Sequence, residues 1–344
     1  MRIKLIAAAL ILSPGAALAA ASAGGVEFSH KDWTIACDNT RTCRAAGYQP
    51  EETEPAVSVL LTRKAGAAQP VTAQLKLGQL KQAAAPSTLT LSIGTRDLGR
   101  LNLQGTTGSA TLSAAQTSAL LAALTGKSVA IAAVGNDGRR WQLSDQGASA
   151  VLLKMDEFQG RLGTRGALIR KGNGNESAVL PALAAPQVQV AKLAAAQPGD
   201  AKLARLPALY AALKTALPAN EQCQALEQGG AQEPLNITRL SNDKLLVSAA
   251  CTLGAYNLGM GYWVVNARAP FAPVLVTMEG TELSGSTIRS SQKGRGLGDC
   301  SVDASWSWTG QRFVQTAKSN SGLCREIAAG GAWQLPTLVT AVKK

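Results

Sequence analysis

A hydrolase of the serine–histidine–acid kind needs an imidazole to take the nucleophile's proton, and this chain of 344 residues offers one histidine, His30, in the run His30-Lys31-Asp32-Trp33. No Gly-x-Ser-x-Gly elbow accompanies it, and it falls where the mature chain is expected to start and fray. A single histidine also rules out a His-rich metal cage and a relay of several imidazoles. Gly294-Arg295-Gly296-Leu297-Gly298 looks like a phosphate loop, but it leads into Asp299-Cys300 and a strand. The amide-lined anion site at a helix start is therefore not built, although Lys293 and Arg295 can still meet an anion. Glu51, Glu52 and Glu54 lie between Pro50 and Pro55, and solvation of a loop accounts for them without a glycosidase acid pair.

Six cysteines, at 37, 43, 223, 251, 300 and 324, are an even set. Neither a Cys-x-x-Cys redox pair nor zinc-ligand spacing is present, so they read as staples. Of the 15 pairings that six cysteines permit, the spacing favours three local ones. Cys37 and Cys43 flank the turn-forming stretch 38–42; Cys300 with Cys324 and Cys223 with Cys251 follow. Each such bridge stabilises by about 2–4 kcal/mol through restriction of the unfolded chain.

Aromatic residues make up 4% of the chain, so a local concentration of them stands out. Tyr256-Asn257 and Tyr262-Trp263 flank a Gly-rich turn at 258–261. Aromatics beside Gly and Asn can stack on a sugar or anchor a protein partner, and they can equally fill the core of a small β domain. Trp306 and Trp308, two apart, face one side of a strand. The candidate binding surface is therefore Tyr256, Asn257, Tyr262 and Trp263 together with Lys293, Arg295 and Asp299.

The elements that must position these groups are mostly strands. Residues 24–172 show alternating and β-branched runs at 32–37, 42–47, 57–63, 71–77, 88–94, 110–112, 128–134 and 140–143. Two helices interrupt them. One follows the N-cap Ser113 and stops at Thr125-Gly126. The other spans 147–159, with Ala148, Val151, Leu152 and Met155 on one face and Asp156 and Glu157 assigned to the solvated side. Residues 173–200, dense in Ala and Pro, read as a linker. A helix then starts at Leu206-Pro207, stops at Pro218 and carries the stripe Leu206, Tyr210, Leu213, Leu217. Strands return at 236–240, 244–251, 261–266, 274–279, 286–292, 302–308 and 312–317. The expected fold is mainly β, a β-rich α+β chain of two antiparallel domains, 24–172 and 201–344, with a few packed helices and disulfide staples; no internal repeat is legible.

Residues 1–23 have the layout of a secretory signal peptide: Arg2 and Lys4, the apolar run Leu5 to Leu12, then small residues with cleavage after Ala19 or Ala23. The apolar run is too short to span a bilayer, and no later segment is long enough. An exported chain in an oxidising space, a Gram-negative periplasm, is the expectation. The 34 Lys+Arg against 22 Asp+Glu give a formal +12. Without Arg2 and Lys4 it is +10, spread over both halves, without the basic clusters that nucleic acid requires. The partners expected are a periplasmic protein or an anionic envelope polymer, with no cofactor and no resident metal.

Several stretches together resemble a known family. Trp33-x3-Cys37-Asp38-Asn39-Thr40-x2-Cys43-Arg44-Ala45-x-Gly47-Tyr48, Leu153-Lys154-Met155-Asp156-x2-Gln159-Gly160-Arg161, Gly254-Ala255-Tyr256-Asn257 and Gly296-x-Gly298-Asp299-Cys300 with Trp306-x-Trp308 are similar to an exported proteobacterial family known only as domain of unknown function 1176. The first half also resembles the invasion-associated locus B proteins, small exported β-rich proteins of host-associated bacteria. The resemblance implies a Gram-negative periplasmic location, agrees with the staples and brings no catalytic residue. The sequence thus points to a non-enzymatic binding or envelope-associated protein; the alternatives are a cell-wall or carbohydrate hydrolase, or an inhibitor of such an enzyme.

Overall fold

The computed structural model describes residues 24–80, 86–104, 108–227 and 234–343. The signal-like segment, with Ala19 and Ala23, lies outside them. The chain is mainly β, as its alternation predicts. Strands β1 (Val26–His30), β2 (Trp33–Cys37), β3 (Cys43–Tyr48), β4 (Val57–Arg63) and β5 (Val71–Leu77) pair in chain order, each antiparallel to the next. A second sheet holds β6 (Thr88–Ile93), β7 (Arg96–Asn102), β9 (Ile131–Gly135) and β10 (Arg140–Leu143) in the order β10-β9-β6-β7, while the short β8 (Ser109–Thr111) joins the far edge of the first.

Helices α1 (Ala114–Thr125) and α2 (Ala148–Phe158) close this core. Ser113 and Gln116 form a reciprocal capping box at the start of α1. The inward face of β2 to β5 packs with Leu89, Leu120, Trp141, Val151, Leu152 and Met155 in one cluster. Each large side chain so buried contributes about 1.5–3 kcal/mol. The Trp33 indole donates to the Ser144 carbonyl at 2.9 Å. Its ring lies so close to Gly47 that a Cβ there would sit 2.3 Å from it.

The expectation of a frayed start around His30 is corrected. All five residues of β1 pair with β2, from Val26 opposite Cys37 to His30 opposite Trp33. The His30 carbonyl also packs against Gly147, at φ +94°, where a side chain would collide with it. Exposed edge strands of mixed polarity such as β1 and β7 carry little apolar alternation, and the sequence reading missed both.

Residues 173–200 run largely extended and are pinned at several points. The amide of Leu180 donates to Gln159, and Leu183 to Thr40; β11 (Gln187–Gln189) pairs in parallel with the terminal β21 (Ala341–Lys343). Beyond them come α3 (Asp200–Leu203), α4 (Pro207–Thr215) and α5 (Gln224–Glu227). One sheet follows, β12 (Asn236–Arg239), β13 (Lys244–Leu253), β14 (Leu258–Asn266) and β15 (Val274–Gly280), and then a second, β16 (Glu282–Ser284), β17 (Thr287–Lys293), β18 (Ser301–Trp308), β19 (Phe313–Asn320) and β20 (Leu335–Leu338). The first of these sheets is covered on both faces. One face packs on Leu209, Tyr210 and Leu213 of α4, the other on Ile288 and Trp308. The six cysteines close the bridges Cys37–Cys43, Cys223–Cys251 and Cys300–Cys324.

After β19 the chain returns to the outer face of the first sheet. Ile327, Ala332 and Leu335 bury Ala36, Ala46, Tyr48, Ala56 and Leu60 there. Polar contacts fix the seam: Trp333 Nε1 donates to Ser58 Oγ at 2.7 Å, the Leu323 amide to Tyr48 Oη at 3.1 Å, and Arg325 pairs with Asp32 at 2.8 Å.

Candidate functional site

The β13–β14 hairpin closes on the pair Leu253–Leu258, and its tip is Gly254–Asn257, with the Gly254 amide donating to the Asn257 carbonyl at 2.8 Å. The Asn257 side chain then behaves as a strand residue toward the end of β17. Its Oδ1 accepts from the Lys293 amide and its Nδ2 donates to the Lys293 carbonyl, both at 2.9 Å. Gln292 adds two donations from Nε2, to the carbonyls of Leu258 and Glu279, at 3.0 Å each. Two loops 36 residues apart in sequence are thereby locked together. Around the clasp, Leu253 is 78% exposed, Tyr256 47% and Leu297 50%, and Lys293 is exposed beside them.

The Gly-rich loop is held from below by Asp299, whose side chain is buried. Arg295 donates through Nε and Nη2 to its two oxygens at 2.7 and 2.6 Å, and the Glu326 amide donates to Oδ2 at 2.7 Å. Burial alone would raise the Asp299 pKa, but these bonds and the guanidinium charge outweigh it and hold the carboxyl below its ordinary value. A carboxylate kept ionised in this way is unsuited to general-acid work at neutral pH. Asp299 lies within 4.8 Å of both sulfurs of Cys300–Cys324, yet bridged sulfurs offer no thiolate to a metal.

Two residues assigned to the binding surface are corrected. Tyr262 and Trp263 are both buried. As neighbours on β14 they point to opposite faces, and both faces of that sheet are covered. Trp263 packs with Leu213 and Cys251, and Tyr262 with Leu246, Ile288 and Trp308. Of the sequence-derived set, the structure brings Tyr256, Asn257, Lys293, Arg295 and Asp299 together.

Asp156 is corrected as well: it lies wholly inside the protein, not on a solvated helix face. Its Oδ2 accepts from the amides of Leu168 and Ile169 at 2.7 and 3.0 Å, and Oδ1 faces Arg63 Nη1 at 3.6 Å. Burial pushes the carboxyl up against the pull of those amides and of Arg63 and Arg161, and it brings Arg63 down to about 10. Arg161, fully buried, binds Gln159, Glu176 and the Gly66 carbonyl. The signal was present in the sequence, since Ala148, Leu152 and Asp156 stand on one i, i+4, i+8 row.

The loop carrying Glu51, Glu52 and Glu54 is exposed, but it also forms one wall of a cavity of about 370 Å³ whose other wall includes Arg295, Arg325 and Glu326. No sequence pattern marks this cavity, because its two walls are joined only by the return of the chain after β19.

Among the described residues, no helix is long and apolar enough to cross a membrane. The chain is 29% identical over 225 residues to the Escherichia coli (strain K12) protein named "Uncharacterized protein YpfG"; the match covers 57% of this chain and 59% of that protein, so it spans about three-fifths of the relative's length. A structure comparison finds the crystal structure of invasion associated protein b from Bartonella henselae, at 15% identity over 39% of this chain and 99% of that one, with a TM-score of 0.28. A family profile matches residues 27–340, and the chain therefore belongs to the family described as "Protein of unknown function (DUF1176)".

Proposed function

We propose that the chain is a non-enzymatic binding protein of the Gram-negative periplasm, and that it engages a protein partner through the joined surface of the Gly254–Asn257 tip and the Lys293–Asp299 loop. The observation that carries this reading is the Asn257 clasp. It holds exposed Leu253, Tyr256 and Leu297 on two loops that cannot drift apart independently. Pre-ordered apolar and aromatic side chains lose little freedom on association, which is how a small surface gains affinity. The signal-like amino terminus and three disulfides support an oxidising compartment.

A photo-crosslinking residue placed at Tyr256 or Leu253 in the native cell envelope, with Leu162 as the exposed control site, tests it. The expected result is a shared protein adduct at the first two positions that is missing from the third. The same adducts at all three sites would remove the basis for assigning this surface.

A further inference from the structure

A cavity of about 660 Å³ opens where three stretches meet: α3 with the residues just before it, the turn between β12 and β13, and the loop after β14. That volume is in the range of small-molecule sites. Its walls are tied together. The buried Arg239 donates through Nε, at 2.9 Å, and through Nη2 to the two oxygens of buried Asp200, and through Nη1 to the carbonyls of Ser241 and Asn242 at 3.2 and 3.0 Å. The third wall is fixed to the second: the Ala267 amide donates to the Asp243 carbonyl at 2.8 Å, while Asn266 accepts from Lys244 Nζ at 2.6 Å and donates to the Pro270 carbonyl at 2.7 Å. The cavity is therefore formed before anything enters it.

Two opposite charges on these walls are unspent. Arg268 is exposed and has no hydrogen-bond or ion-pair partner among the described residues. Asp243, also exposed, makes no ion pair among them; its Oδ1 accepts from Ser241 Oγ at 2.6 Å. That bond is the main cause holding its carboxyl below the ordinary value, so it is ionised at neutral pH. The bond from Ala267 to Asp243 brings the two backbones side by side, yet the side chains do not close on each other. Exposed pairs elsewhere, Lys154 with Glu157 and Arg289 with Glu282, do close.

The chemistry that answers both charges is narrow. A phosphate or other anion suited to Arg268 would face Asp243, a metal ion suited to Asp243 would face Arg268, and an uncharged ligand would leave both without a counter-charge. An ammonium and a carboxylate on one small molecule satisfy each, and Leu203 and Pro270 add apolar surface for a side chain.

We propose that this cavity binds a small zwitterion of the amino-acid type, a free amino acid or a short peptide, with its carboxylate on Arg268 and its ammonium on Asp243. None of the residues lining it belongs to the Gly254–Asn257 tip or the Lys293–Asp299 loop, so the site stands apart from the hairpin surface.

The test titrates the mature chain by calorimetry with leucine and with dileucine, each also with its amino end acetylated and with its carboxyl end amidated. At least one free-ended ligand should bind, and the ratio of the two tells amino acid from peptide. Blocking either end should weaken binding about tenfold. Arg268→Gln should weaken the free ligand about tenfold and abolish the difference between it and its amide; Asp243→Asn, which keeps the acceptor for Ser241, should abolish the difference between it and its acetyl form. Tyr256→Ala should change nothing. The proposal is overturned if neither free ligand binds, if the blocked forms bind as tightly as the free ones, or if both variants bind like the parent chain. Both substituted side chains are exposed, and a Tm equal to the parent's confirms that a loss of binding is not a loss of fold.

Discussion

Replacing Asp299 with Asn probes how the Gly-rich loop is held. The change keeps the shape of the side chain but removes the charge and turns one acceptor oxygen into a donor. Three hydrogen bonds of 2.6–2.7 Å end on that carboxylate. Bonds to a charged group contribute about 1.5–3 kcal/mol each when both partners are buried. Arg295 is 42% exposed at its side chain and can be resolvated, so its two bonds are discounted, and the expected loss is about 2 kcal/mol in all. For a cooperative unit of about 150–250 residues that lowers Tm by about 4–8 °C.

The pH dependence supplies a second reading of the same substitution. The folded-state pKa of Asp299 is lowered, so its contribution is complete above the unfolded carboxylate value of about 3.9 and disappears as pH falls through the folded value. Thermal melts at pH 7 and at about pH 2 should therefore show a clear gap between the parent and Asp299→Asn at neutral pH that closes in acid. Equal melting at pH 7, or a gap of the same size at both pH values, would refute the clamp. Loosening the loop should also weaken crosslinking through Tyr256, because Asn257 is bonded to Lys293 at its start.

Two further substitutions address parts that the sequence analysis misplaced or left out. Asp156→Ala leaves Arg63 buried without its facing carboxylate; chemical denaturation should show a loss of about 3–5 kcal/mol, with faster hydrogen exchange at the Leu168 and Ile169 amides. Trp333→Phe removes the indole bond to Ser58 and should cost about 1 kcal/mol in the same assay, localised by exchange to the outer face of the first sheet.

What was legible in the sequence follows from what each signal measures. The strands at Val57–Arg63, Val71–Leu77 and Arg140–Leu143 match their expected limits because a sheet with a buried face imposes apolar alternation or β-branching. The helix beginning after Ser113 is marked by a capping box. Tyr262 and Trp263 misled because composition shows where aromatics gather but not whether a sheet is covered on one face or two. Asp156 misled because its compensating groups, Arg63 and the 168–169 amides, come from other parts of the chain. Asn257 and Lys293 were both identified from sequence, yet their mutual bonds depend on the register that sets β14 beside β15 and packs β15 on β17.

The return of the last strands to the first sheet sets the order in which the chain can fold. Asn39 exchanges both of its amide bonds with the backbone of Val339, 300 residues later. A chain that emerges amino end first delivers the Ala36, Ala46 and Tyr48 face long before Ile327 and Leu335 arrive to cover it. Contacts of such sequence separation are slow to close, and apolar surface left open in the interval is prone to wrong association. The early bridge Cys37–Cys43, six residues apart, can close before the rest has emerged. It fixes the β2–β3 corner that the final segment must later find, so the molecule is begun and finished at the same place.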